Sequence, residues 1–415
     1  MKNNNWIYKY ASVSVIIGPL IEPYNFPATS LSVYKVFMLI NVFIFFCHRK
    51  DALFVPKYYK FFFLYALIIP ILNAVFHGYL SHILGSYLTL ILFSSSLILS
   101  AIFIDLKVFY RTYRIFGIVT CLVFFAQELS FLIFGFRFMA LIPFLDVHYE
   151  GFTTESFSEQ MAMIDRSCSC FLEPSHFAQF ILPLLAIELG LLHDKNKSFG
   201  FYPILLTIVL LLLRSGVGLL SCAMLWSFFI IFSKRAFYVK AFVIVPVAVV
   251  LSYVFFVNYT GTEQGSALVE RVSQLNPNDF DYVSSGIMRV YRGYWVYGDL
   301  DFLSKLLGVG IGGADDAIDR SSVAWMFGDG EHYINNIQTL LIGYGVVGFI
   351  LFLLFLFNLT RKTPFTSTLL VAVFLMTSLM ESYFYTTRML LFLCVPFVLS
   401  LRVHRHHSST KVIKS

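Results

Sequence analysis

Twelve apolar stretches divide this chain, and its cationic residues fall on alternate gaps between them. A segment crossing the hydrocarbon of a bilayer must satisfy its own backbone hydrogen bonds, which restricts it to helices and closed barrels; a helix needs about 20 apolar residues. The windows run Tyr10–Ile21, Leu31–Cys47, Phe61–Val75, Ile83–Ile104, Ile115–Phe134, Phe171–Leu192, Tyr202–Leu213, Val217–Phe232, Ala241–Val257, Ile334–Leu359, Phe365–Met380 and Met389–Leu401. They predict an all-α, polytopic integral membrane protein, 1–415 forming a single multi-pass membrane domain. The expected number of transmembrane helices is about 12, with a range of 10–12 because the seventh, eighth and last windows are short. Composition agrees: 58% of residues are hydrophobic and 13% charged, where soluble chains carry about a quarter charged.

With the amino terminus in the cytoplasm, the inner gaps hold Lys2 and Lys9; Arg49, Lys50, Lys57 and Lys60; Lys107, Arg111 and Arg114; Lys195 and Lys197; Lys234, Arg235 and Lys240; Arg361 and Lys362; and Arg402, Arg405, Lys411 and Lys414. Only Asp51, Asp105 and Asp194 oppose them, so every inner gap obeys the positive-inside rule and both termini are expected in the cytoplasm. The net charge of +6 is therefore an inner excess partly offset by an acidic outer side, and it describes no nucleic-acid surface. The first stretch has no small-residue cleavage site after it and reads as a retained helix. Cys168 and Cys170, one residue apart, lack the spacing of a zinc site and read as small, partly buried side chains.

Two outer gaps are long, 135–170 and 258–333, and function on a scaffold of packed helices concentrates in such loops. Both mix polar and aromatic residues and are expected to fold over the membrane face, the second carrying part of the active site. The absence of a visible internal repeat disfavours a carrier.

Outside the inner gaps the cations are Lys35, Lys305 and eight arginines: Arg137, Arg166, Arg214, Arg271, Arg289, Arg292, Arg320 and Arg388. A guanidinium fork grips phosphate with two parallel hydrogen bonds, and it suits pairing with outer carboxylates equally well. Even-numbered spans present their amino termini to the outer face, where free N–H groups and partial positive charge favour anions. Arg166 precedes span six, Arg214 precedes span eight and Arg388 abuts span twelve. In Glu173-Pro174-Ser175-His176 the proline suits a first helical turn, which puts Glu173 at or beside the cap. Arg289 and Arg292, three apart among Tyr and Trp, fit an interfacial helix with a cationic edge, or a membrane-lying helix with no chemical duty. The run Gly308-Val309-Gly310-Ile311-Gly312-Gly313 matches a dinucleotide pattern by letter but lacks the strand–turn–helix around it, so a tight turn is expected. His332 is an outer histidine at the junction with span ten, poised either to take a hydroxyl proton or to serve as a polar surface residue.

Together, Arg166-Ser-Cys-Ser-Cys-Phe-Leu-Glu173-Pro174-Ser-His-Phe-Ala178, the Arg214-Ser-Gly-Val-Gly segment, and the run from Phe302 to Gly313 through Asn335 to Gly348 resemble the O-antigen polymerase (Wzy) family and the related O-antigen ligases of bacterial surface polysaccharide synthesis. The likeness covers most of the chain from span five onward. It departs from the family at Ser169, often Gly there, and at His332, which stands three residues before Asn335 where the family has His directly before Asn.

The resemblance implies a GT-C-type polymerase/ligase fold and a glycosyltransferase of the bacterial inner membrane with a periplasmic active site. Its substrates would be repeat units linked to undecaprenyl pyrophosphate, its other partners membrane lipids and a chain-length regulator, with no nucleic acid. On this reading Arg166, Arg214, Arg289 and Arg292 bind pyrophosphate, Arg289 also acts in catalysis, and the base is His332, with Glu173, Asp329 and Glu331 as alternatives. Asp279-Phe280-Asp281 and Asp299-Leu300-Asp301 fit the Asp-x-Asp pattern of metal-using transferases, but the resembled family works without metal, so no metal and no other cofactor is expected. A ligase moving glycan to lipid A core and a polysaccharide flippase are the alternatives. The scarcity of charge within spans, Glu128 and Glu188 apart, favours surface chemistry over passage.

Overall fold

The computed structural model describes residues 5–27, 29, 31–49, 55–77, 83–147, 166–197, 200–233, 285–327 and 332–412. The ninth apolar stretch, Ala241–Val257, lies outside them, as do Arg271, Asp279, Asp281, Asp329 and Glu331. The described helices are α1 (Asn5–Ile21), α2 (Val33–His48), α3 (Lys57–His77), α4 (Ile83–Phe103), α5 (Leu106–Phe134), α6 (Pro174–Asp194), α7 (Phe201–Leu212), α8 (Gly216–Phe232), α9 (Ser285–Asp299), α10 (Phe302–Leu307), α11 (Ala314–Asp319), α12 (Asn336–Thr360), α13 (Phe365–Ser378) and α14 (Thr387–Val412). A two-stranded antiparallel ribbon pairs β1 (Tyr24–Asn25) with β2 (Asp146–Val147).

Among the described residues four helices are long and apolar enough to cross a membrane, within α4, α5, α6 and α12; α1, α2, α7, α8 and α13 are shorter apolar helices. The outward faces carry large apolar side chains, including Phe43, Phe46, Leu132, Ile231 and Phe357, a surface that suits lipid better than water. Several helices outrun their apolar windows. α5 begins nine residues before Ile115 because Asp105 caps it, accepting from the amides of Lys107 (2.8 Å) and Val108 (3.4 Å), and it stops at Gly135 with φ 73°. Lys107, Arg111 and Arg114 thus lie on its first turns, where hydropathy alone ends the span.

Contacts between helix ends sort them into two groups. At one end the start of α5 meets α1 through Ser12, whose hydroxyl and the Asp105 amide pair at 3.0 Å, and the end of α6 meets α8 and α13 through His193, at 3.2 Å from the Phe232 carbonyl and with its ring tilted against that of Phe365. At the other end the close of α1 and the openings of α6, α8, α12 and α14 come together. One large apolar core runs through the bundle, and a smaller one under α9–α11 gathers Val296, Leu300, Val309, Ile318, Phe327 and Ile342.

α12 is broken at Gly345, with φ 60° and ψ −171°, a conformation reserved for glycine. The break frees carbonyls that the glycine run satisfies: the amides of Val309 and Gly310 donate to Ile342 (2.9 Å) and Gly343 (2.8 Å). Gly308, at φ 84°, lies so close that a Cβ there would sit 2.5 Å from Tyr344 Cα. The expected tight turn is present, and it is also a plug in a broken helix, held from α3 by Tyr65, whose hydroxyl donates to Leu307 O (2.7 Å), and by Asn73, whose amide donates to Gly308 O (2.5 Å).

Candidate functional site

Arg388 opens the apolar part of α14 and is mostly enclosed, its side chain 11% exposed, at the end of the bundle where helix openings gather. Its Nε donates to Glu22 Oε1 at 2.6 Å, its backbone N–H donates to Glu22 Oε2 at 3.1 Å, and its Nη1 donates to Gln179 Oε1 at 2.9 Å. The Thr387 hydroxyl donates to the same Glu22 carboxylate. α1 approaches this closely because residue 18 is glycine: a Cβ there would stand 2.8 Å from Thr387 Cβ. The β-ribbon braces the chain just beyond Glu22 against Val147 and Leu172, next to Glu173.

Glu173 is the N-cap residue of α6 and Pro174 its first helical residue. The carboxylate does not cap the helix; it accepts from the Ser175 hydroxyl at 2.9 Å. Glu173 and Glu381 are both close enough to Arg388 to act on it electrostatically. Of the three, Glu22 is the carboxylate bonded directly to the guanidinium.

Gln179 has an unfilled half. It is wholly buried, its Oε1 is taken by Arg388, and among the described residues its Nε2 donates to nothing. Flipping the amide would set N–H against N–H, so the orphan is the donor. A buried unpaired donor costs about 1–3 kcal/mol.

Tyr333 joins this cluster to the loop. Its hydroxyl lies 3.3 Å from Glu381 Oε2, and its carbonyl accepts from Arg292 Nε at 2.7 Å. Arg292 is 7% exposed, with its guanidinium 4.5 Å from the Phe327 ring centroid. α9 reaches this place because Gln338, in the capping box that opens α12, donates to Val290 O at 2.7 Å over Gly293. Arg289 lies one turn earlier on α9, its side chain outside the described residues. His332, beside Tyr333, has its Nε2 2.9 Å from Asp319 Oδ1 and its Nδ1 3.6 Å from Asp315 Oδ1, both on α11. Carboxylates thus stand against both ring nitrogens and fix the orientation of the imidazole.

Arg166 and Arg214 form a neighbouring group. Arg166 Nη1 donates to the Arg214 carbonyl at 3.3 Å, and Arg214 takes φ 54° in the short turn before Ser215, which caps α8. The segment that delivers Arg166 and Glu173 is clamped by Gln127, whose amide bonds both the N–H (2.7 Å) and the carbonyl (3.0 Å) of Ser169. Ser169 has φ 58°, in the left-handed region where glycine is the least strained residue. Burial pushes the Cys168 thiol up to about 12 and raises that of Cys170, so neither is a thiolate nucleophile near neutral pH.

The structure therefore brings Glu173, His332 and Arg292 toward one end of the bundle with Arg388, and Arg166 with Arg214 beside them. Sequence reasoning missed Glu22, Gln179 and Glu381. Glu22 directly follows an apolar window and Glu381 directly follows another, and a carboxylate at the mouth of a span was the available signal. The carboxylates of Asp299 and Asp301 are engaged separately: Asp299 accepts from the Ser322 amide and hydroxyl, both at 2.7 Å, while Asp301 caps α10. Among the described residues no group of three or more His, Cys, Asp or Glu is placed to hold a metal. No model of a known protein family matches the chain, and no curated protein matches it.

Proposed function

We propose that this protein is a surface-polysaccharide polymerase of the bacterial inner membrane, with about 12 spans and both termini cytoplasmic, working at its periplasmic face. The observation that carries the reading is the convergence of Arg166, Arg214, Arg292, Arg388, Glu173 and His332, from five separate stretches of sequence, at one end of a helical bundle. A hydroxyl of a lipid-linked repeat unit attacks the anomeric carbon of the growing glycan. The bond from that carbon to the pyrophosphate oxygen breaks, undecaprenyl pyrophosphate leaves with the electron pair, and His332 or Glu173 takes the hydroxyl proton. Arginines and helix N-termini stabilise charge on the departing diphosphate. Arg289 and Arg292, with Arg166 and Arg214, hold that diphosphate, and no metal is required. Membrane lipids surround the bundle and a chain-length regulator is the protein partner.

Buried charge supports surface chemistry over passage. Among the described residues the ion pairs with at least one buried partner, Arg388–Glu22, Arg114–Glu188 and Arg137–Glu128, lie toward helix ends. The test is deletion of the gene in its host with the surface glycan displayed on a gel, followed by complementation with Arg289→Ala or Arg292→Ala. Loss of the ladder down to one repeat in all three, with variant protein still inserted, is the expected result. Long glycan stranded on its lipid identifies a ligase, and bare core with unexported repeat units a flippase; either outcome defeats the proposal.

A further inference from the structure

We infer that a cavity between α1, α2, α4 and α14 binds one water molecule inside the apolar part of the bundle, under the Glu22–Arg388 pair. Two observations carry the inference, and neither depends on the polymerase reading. The first is the cavity itself, lined from the four helices by Ser14, Asn41, Ser96, Ser100 and Thr387 among apolar side chains. The space open to the centre of a water is about 10 Å³, the scale of a single molecule. The second is Ser96, which is 2% exposed and whose hydroxyl meets no partner among the described residues. The serines beside it return to a carbonyl of their own helix, Ser14 to Ala11 O at 3.0 Å and Ser100 to Leu97 O at 3.3 Å. Ser96 does not, which leaves its donor for the cavity that it lines.

The chemistry of the lining selects water. A buried hydroxyl without a partner is costly, and a buried water offsets that cost by bonding several groups that the fold leaves over. Those groups are present. Asn41 spends its Oδ1 on the Tyr10 hydroxyl at 2.6 Å and has the other half of its amide left. Ser14, Ser100 and Thr387 have donated their protons, to Ala11 O, Leu97 O and the Glu22 carboxylate, and keep lone pairs. A water donates and accepts, so one molecule can serve the Ser96 hydroxyl and the Asn41 amide as well as those lone pairs. No charged side chain lines the cavity, which withholds the carboxylate that a bare cation needs, and room for about one water excludes an acyl chain. The bound water ties four helices together one turn below Glu22, reaching that carboxylate through Thr387.

The experiment uses the full-length protein in nanodiscs and X-ray pulses that turn water into hydroxyl radicals, which oxidise the side chains beside the water that produced them. Oxidised peptides are read by mass spectrometry. Met38 lines the cavity and is 3% exposed, while Met389 is 1% exposed and is not among the lining residues, so the pair reports the same chemistry with and without the site. The expected result is oxidation of Met38 well above that of Met389 in the wild type, an intermediate level in Ser96→Ala, and the Met389 level in Ser96→Val, whose extra carbons take the space. Thermal midpoints report folding. Equal oxidation of Met38 and Met389 in the wild type, a comparison that needs no substitution, makes the cavity dry and overturns the inference. Met38 oxidation that is unchanged in the folded variants overturns it as well, and so does a thermal midpoint raised by sodium chloride but not by choline chloride, which makes the occupant a cation.

Discussion

The two ends of the bundle each hold an ion pair with a buried carboxylate, and the pairs differ in completeness. At one end Arg114 and Glu188 meet through two guanidinium nitrogens, Nε to Oε1 and Nη2 to Oε2 (the latter at 2.7 Å), with Tyr110 donating to the same carboxylate at 2.8 Å and the Tyr202 ring 4.1 Å from the guanidinium carbon. One charge meets one charge, with Arg114 partly in solvent. At the other end Arg388 is shared between Glu22 and Gln179, with Glu381 and Glu173 in range and an amide donor left over. The backbone repeats the contrast, since α12 is interrupted at Gly345 on the Arg388 side while α6 runs through to Asp194 and Glu188. A completed pair holds helices together; an incomplete one keeps hydrogen-bonding capacity for something else.

The sharpest way to break this comparison is to remove each arginine in turn. Arg388→Leu leaves the Glu22 carboxylate buried without its partner, and we expect a loss of about 3–5 kcal/mol in stability together with loss of polymer. Adding Glu22→Leu should restore most of the stability, read as the thermal midpoint in detergent, and none of the polymer. Polymer returning with the double substitution would make the Arg388 pair a mere clamp.

Arg114→Leu is the matched experiment at the other end. Glu188 keeps its bond from Tyr110 and Arg114 is already about a third exposed, so the expected loss is smaller, about 2 kcal/mol. Here Arg114→Leu with Glu188→Leu should recover stability, and glycan length should stay that of the wild type throughout. A shortened ladder in the folded double variant would show that the two ends are not divided as described.

How much of this was legible beforehand follows from the physics of each element. Apolar windows mark helices because hydrocarbon demands them, and all but the ninth can be compared with the described helices. Their edges shift where a side chain cap outweighs hydropathy, as at Asp105. Pro174 announced the start of α6 because a missing N–H costs nothing there. The partners of Arg388 were hidden: Glu22 and Gln179 stand 366 and 209 residues away along the chain, and only packing brings α1, α6 and α14 together. The break at Gly345 was written in two glycine clusters, around Gly308 and Gly343, but nothing local says that one plugs the other.

The smallest effect concerns the cap over the Arg388 end, which relies on exposed contacts where the two ion pairs rely on burial. The Ser322 hydroxyl and amide hold the Asp299 carboxyl below its ordinary range and tie the end of α9 to the turn after α11. A depressed carboxyl contributes stability that is fully present above its unfolded value of about 3.9 and is lost as pH falls through the folded value. Acidification below about pH 4 should therefore speed hydrogen exchange at the Ser322 amide, while Asp299→Asn should exchange fast at every pH with no acid step. Because Asp299 is exposed and Arg292 is anchored by Tyr333 O, the change should stay local, with exchange in α9 rising only at its last turn. An acid step that spreads to the Arg292 turn would make the loop and the bundle a single unit.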